Sequence, residues 1–182
     1  GAVSLQDGGP NGPITITATA LDGDLAGQSF STTTLNGAFS LAGLADGNYS
    51  IDVSADGYLP TTLDQFPVSG DTDAGNFSLL LPAVIAGTLS SSLPDFDPTQ
   101  VLITASANGQ TVAVTTAAAD GSFSFNNLTP GDYTLSTESG RGLDVTAFLT
   151  LTAGQTPTQD LILDAGGTLT GIVSNNATPV PG

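Results

Sequence analysis

The sequence predicts an all-β protein: two tandem seven-stranded sandwiches, followed by the first strand of a third repeat. Three observations carry this. Apolar residues alternate with a period of two, as in Ile14-Thr-Ile16-Thr-Ala18, Val112-Ala-Val114-Thr, Phe123-Ser-Phe125 and Tyr133-Thr-Leu135-Ser, and no helical stripe of useful length interrupts them. Asn-Gly and Asp-Gly pairs, which supply the positive φ angles of tight hairpins, fall at the spacing of roughly eight to twelve residues typical of a sandwich. Finally, NGAFSLAGLADGNYSI (Asn36–Ile51) returns as DGSFSFNNLTPGDYTL (Asp120–Leu135). Gly37 and Gly121, Phe39 and Phe123, Leu44 and Leu128, Gly47 and Gly131, and Tyr49 and Tyr133 are each 84 residues apart, and a fixed period marks a tandem array.

In the first copy, strands are expected near 2–6, 13–21, 27–35, 38–41, 48–55, 61–69 and 76–82. In the second they are expected near 87–93, 100–107, 110–117, 122–126, 132–138, 145–152 and 158–164. The expected domains are 1–85 and 86–165, with 166–182 as a third-repeat strand. Leu81-Pro-Ala-Val-Ile-Ala86 at the join is too short and too apolar for a floppy linker, so a stiff junction is expected. Within the repeated segment the Asn/Asp-Gly hairpin turns the chain, and Phe39 or Phe123 enters the core. Leu44 or Leu128 caps one end. Tyr49 or Tyr133 buries its ring and bonds nearby backbone through its hydroxyl, as a tyrosine corner does.

The charge balance excludes several function classes. Seventeen acids, sixteen of them Asp, face one base, Arg141, for a net charge of −16. Nucleic acids and anionic membranes both need Lys or Arg to neutralise phosphate, so neither is an expected partner. Self-repulsion of this size suits a saline or cation-rich exterior. No apolar run approaches the roughly 18 residues of a membrane span. The absence of Cys leaves the fold to core packing alone. The chain starts at Gly1 without Met, as a processed or excerpted segment would.

The repeated segment resembles the signature of carboxypeptidase regulatory-like domains, as do the Gly-started strand Gly87-Thr-Leu89 and the closing Gly154-Gln-Thr turn with Leu161-Ile-Leu163. The resemblance implies an Ig-like, transthyretin-like (prealbumin-like) sandwich, an architecture shared with collagen-adhesin B-type surface repeats. It also implies service as a spacer, stalk or accessory module. Gly57-Tyr58 fits the family after the fifth strand, whereas Gly140-Arg-Gly142 departs from it. The Lys–Asn isopeptide bond of some B-type repeats cannot form, because the chain has no Lys.

Without His, Cys or Lys, and with one Glu, acid–base and nucleophilic catalysis lack their usual groups, and no enzyme is expected. No cofactor is required. Calcium is the one candidate, since closely spaced loop aspartates can supply hard oxygen ligands. The pairs are Asp22 and Asp24, Asp71 and Asp73, and Asp95 and Asp97, with Asp71 and Asp73 the preferred site. Asn48, Asn76, Asn127 and Asn176 stand in formal glycosylation sequons. Tyr58 and Phe96 are the aromatics expected on loops, too few for a sugar platform.

The reading that follows is a non-catalytic structural module of an extracellular or cell-surface fibre, stalk or array, its domains joined head to tail. The alternative is an adhesin that grips a glycan or protein through its Asp-rich loops. Gly167–Val173, which repeats the Gly-Thr-Leu start of the second copy, is expected to begin a further domain or to add as a strand to a neighbouring subunit.

Overall fold

The protein's computed structural model describes residues 1–8, 12–139, 144–164, 170–171, 174–175 and 178–179. The first unit contains β1 (Ala2–Leu5), β2 (Ile14–Ala20), β3 (Ser29–Thr34), β4 (Gly47–Ser54), β5 (Thr61–Val68) and β6 (Asn76–Leu79). One sheet runs in the order β3-β2-β4-β5, all antiparallel, and the other pairs β1 with β6 in parallel. The second unit contains β7 (Ala83–Ser91), β8 (Leu102–Ala107), β9 (Gln110–Thr116), β10 (Ser122–Leu128), β11 (Gly131–Glu138), β12 (Thr146–Leu151) and β13 (Leu161–Leu163). Its sheets run β12-β11-β8-β9 and β10-β7-β13. A short antiparallel pair, β14 (Ser174–Asn175) and β15 (Thr178–Pro179), follows. The only helical elements among the described residues are two single 3-10 turns, Gly23–Leu25 and Pro98–Gln100.

Period-two alternation decides which residues meet between the sheets. Along β2, Ile14, Ile16, Ala18 and Ala20 are buried and the intervening Thr residues are half-buried. They pack with Val3, Tyr49, Ile51, Val53, Phe77 and Leu79 in one core. Ile85, Ile103, Phe123, Phe125, Tyr133, Leu135 and Leu161 belong to a second. Burying each such large apolar side chain contributes about 1.5–3 kcal/mol, which suffices for two small cores without disulfides. Ala83 and Ile85, which precede the expected boundary at residue 86, are fully buried in the second core.

The structure departs from the expected strands in three places. The strand expected at 38–41 is reduced to a single bridge, Ala38 to Ala2, whereas its counterpart β10 pairs with β7 as far as Leu128 and Ala83. The first strand of the second copy starts at Ala83 rather than 87, because Ala83 and Ile85 alternate inward with Gly87 and Leu89. The last strand is cut to Leu161–Leu163, although Thr158 still bridges Ala86. In β9 the valines face outward and Ala113 faces in, since Ala113 pairs with the wholly buried Ala105. The expected strand at Gly167–Val173 lies outside the described residues except for Thr170 and Gly171, and Arg141 lies outside them too.

Candidate functional site

Each sandwich joins its first strand to its last in parallel. Ala2, Val3, Ser4 and Leu5 stand opposite Asn76, Phe77, Ser78 and Leu79; Leu89, Ser90 and Ser91 stand opposite Leu161, Ile162 and Leu163. The pairing extends beyond the ladders. Ala2 N donates to Gly75 O (2.9 Å) and Gln6 N to Leu79 O (3.0 Å) in the first unit. In the second, Gln159 N donates to Ala86 O (2.8 Å), and the Asp160 carboxylate accepts from both Thr88 N (2.9 Å) and Thr88 Oγ1 (2.8 Å). The Thr88 hydroxyl and then its N–H hold the Asp160 carboxyl below the usual carboxylate range.

Between the units, the Gln6 side chain spans the joint. Its Oε1 accepts from Leu81 N (2.9 Å) and its Nε2 donates to Ala153 O (3.3 Å). Gly154 N donates to Leu81 O (3.3 Å). Only Leu80–Pro82 separate β6 from β7.

The aspartate pairs serve the turns that hold them. Asp22 accepts from Asn48 N (2.8 Å) and from Asn48 Nδ2 (2.6 Å), which lowers its pKa. Asp24 sits in the 3-10 turn that follows. Asp73 accepts from Gly75 N (3.0 Å), and its neighbour Asp71 is exposed in the same loop. Asp95 adopts a left-handed φ of 57°, and Asp97 caps the Pro98–Gln100 turn through Thr99 N (3.0 Å) and Thr99 Oγ1 (2.7 Å). Among the described residues, no three carboxylates gather closely enough to hold a metal ion.

Of the sequon asparagines, Asn48 is half-buried and its amide nitrogen is engaged by Asp22. Asn76 and Asn127 are exposed, and Asn176 lies outside the described residues. Tyr58 is buried and donates its hydroxyl to Asp7 Oδ1 (2.6 Å), while Phe96 packs against the second core. The one strongly exposed aromatic among the described residues is Phe148, on an edge strand.

The repeated segment builds the same corner twice. Tyr49 donates its hydroxyl to Ala45 O and Tyr133 to Thr129 O, both at 3.0 Å, with both rings buried as expected. Gly37 and Gly121 have φ of 85° and 86°, and a Cβ on either would stand 2.2 Å from Val3 O or 2.5 Å from Leu89 O. Glycine is therefore required there for both conformation and approach. A family model for the carboxypeptidase regulatory-like domain matches residues 1–80 and again 84–164. The chain belongs to this family.

No curated protein matches the sequence. Among solved structures, this regulatory-like pair is similar to the minor pilin GBS52 of Streptococcus agalactiae, at 15% identity and a TM-score of 0.41 over 92% of this chain and 89% of that one. It is also similar to the major pilin subunit BcpA of Bacillus cereus, at 10% identity and a TM-score of 0.39 over 90% and 67%. A third is the C-terminal fragment of the pilus adhesin SpaC of Lactobacillus rhamnosus GG, at 10% and 0.35 over 93% and 98%.

Sequence reasoning missed the residues that tie this regulatory-like pair together. Gln6, Thr88 and Asp160 carry no motif. The available signal was an uncharged Gln one residue past an apolar strand, facing an apolar joint, but pairing across 147 residues (Gln6 to Ala153) leaves no local pattern.

Proposed function

We propose that this regulatory-like pair is a non-catalytic structural module of an extracellular fibre, stalk or cell-surface array, in which tension passes through successive sandwiches. One observation carries the reading: in both units the first and last strands are parallel hydrogen-bonded neighbours. Tension applied at the two ends of such a unit pulls these strands past each other along their length. All the ladder bonds then resist together, whereas a strand pulled sideways loses them one at a time. The uncharged three-residue joint and the Gln6 bridge support transmission of that load from one sandwich to the next. Neither a metal ion nor a glycan is needed for this mechanism.

The test is single-molecule pulling in two geometries. The chain has no Cys, so an introduced pair defines the points of attachment. Pulling through the ends is expected to give two unfolding events at clearly higher force than pulling the second sandwich from Leu102 and Thr116, which face each other at the open end of the β8–β9 hairpin and peel it one bond at a time. Equal forces in the two geometries would refute the proposal.

A further inference from the structure

The second sandwich leaves one edge of its larger sheet bare. Just ahead of β12, Thr137 N donates to Val145 O (3.0 Å). The register of β12 on β11 then runs without a shift, from Thr146 opposite Ser136 to Leu151 opposite Gly131. An antiparallel ladder bonds alternate residues. Ala147, Leu149 and Leu151 therefore turn their N–H and C=O groups toward β11, and Thr146, Phe148 and Thr150 turn theirs away. Among the described residues, those three N–H groups have no backbone partner, and β12 stands at the end of its sheet.

The matching edge of the first sandwich is closed to further pairing. There β5 carries Asp64 and Pro67, holds Gln65 at a left-handed φ of 55°, and slips register against β4 between Tyr49 and Ile51. Charge, proline and a bulge each keep an edge strand from accepting another strand. The β12 sequence Thr-Ala-Phe-Leu-Thr-Leu has none of the three. It presents instead Phe148, which at 77% is the most exposed large hydrophobic side chain among the described residues. The other two edges differ from it: β3 turns Ser29, Ser31 and Thr33 outward, and β9 is bulged against Ala105 and Ser106.

We propose that β12 is a dimerisation edge, joined antiparallel to β12 of a second copy of this chain about a two-fold axis at Phe148. The open groups set the register. Thr146 and Thr150 lie symmetrically about Phe148, so Thr146 of each copy faces Thr150 of the other and Phe148 faces Phe148. Those are the pairs that can exchange N–H···O bonds. On the inner face Ala147 meets Leu149, both only half-buried against the second core. Charge favours this seam over other approaches of two copies that each carry −16. Thr146–Leu151 is uncharged, and the register sets Asp144 opposite Thr152 rather than opposite another acid. Asp132, across from Thr150, already accepts from the Thr150 hydroxyl. One edge strand from each copy buries less than the roughly 1,200 Å² of a standard interface, so the pairing is of the transient kind. It stands independently of the tension-bearing reading above.

The experiment is sedimentation velocity of the whole chain from roughly 10 μM to 1 mM, in about 0.1 M and about 1 M NaCl, between which the Debye length falls from about 10 Å to about 3 Å. Dimer is expected at the upper concentrations and more of it at high salt, where self-repulsion is screened. Phe148→Asp sets two carboxylates face to face at the axis. Thr146→Pro removes an outward N–H without touching the bonds to β11. Each is expected to abolish the dimer. Residue-resolved amide exchange reads the register: Thr146, Phe148 and Thr150 should slow by about two-fold or more from dilute to concentrated samples, while Ala147 and Leu149 stay protected throughout. The same protection of Ala147 and Leu149 in a variant shows that it is folded. A chain that stays monomeric at the highest concentration and salt would overturn the proposal, as would a folded variant that still dimerises. Growth beyond the dimer would move the contact to two unlike edges and overturn the two-fold seam. Association that weakens as salt rises would assign the contact to charge and overturn it as well.

Discussion

Replacing Ile85 with Ala decides whether the joint segment is linker or core. Ile85 is wholly buried, and β7 is held on both flanks by β10 and β13. The surroundings cannot close easily over a lost side chain, which places the cost in the upper part of the usual range of about 2–5 kcal/mol for Ile to Ala. An Ile on an exposed linker would cost no more than about 0.5 kcal/mol. The second matched stretch, residues 84–164, has a total stability of about 4–12 kcal/mol if it holds the usual 0.05–0.15 kcal/mol per residue. The substitution therefore removes a large share of it. Peptide-resolved hydrogen exchange reads each sandwich separately. Protected amides of β8 and β11 are expected to exchange faster by a factor of about 300 or more, from 1.4 kcal/mol per ten-fold, while those of β2 and β4 stay as they were. A loss below about 1 kcal/mol would return Ile85 to the linker, and equal acceleration in both units would show that the two cores unfold as one.

Three further outcomes follow from named contacts. Tyr49→Phe removes the hydroxyl bond to Ala45 O, and Tyr133→Phe removes those with Thr129 O and Thr129 Oγ1; each is expected to cost at least about 0.5–1.5 kcal/mol in urea unfolding, in its own sandwich, and no loss in either would refute the corner. Gly27→Ala has a φ of 82° and open space around its Cβ, so it meets only backbone strain of about 1–2 kcal/mol. Gly37→Ala and Gly121→Ala add a collision with a carbonyl and should cost more, and equal losses at all three sites would remove the argument from close approach. Asp22, Asp73, Asp97, Asp120 and Asp160 have lowered pKa values, chiefly through bonds from Asn48, Gly75, Thr99, Ser122 and Thr88 respectively. Each contributes stability that is present above its unfolded value near 3.8 and is lost as pH falls through the lower folded value. Carboxyl chemical shifts should place all five midpoints below 3.8, and midpoints at or above it would contradict the turn bonds.

The sequence by itself determined the all-β class, the repeat and the corner. These rest on short-range signals: alternation of two, Gly at positive φ, and Tyr four residues past the carbonyl it bonds. Such signals need no knowledge of distant residues, so a buried Tyr133 bonding nearby backbone was legible in the chain alone, and the structure named Thr129 O as the acceptor. What only the tertiary structure decided depends on which strand lies beside which. Alternation in Val112-Ala-Val114 is symmetric, and pairing with the small, buried Ala105 turned the valines outward. The bonds that Asp22 accepts from Asn48, 26 residues away, likewise leave no local signal in the chain. Ala83-Val-Ile-Ala86 reads as a junction because its apolar residues have two possible fates, and burial between β10 and the 155–158 segment chose the core. The same local pattern at 39–44 failed to become a strand in the first sandwich for the complementary reason. A strand needs a partner for its backbone, and that partner is not encoded in the strand's own residues.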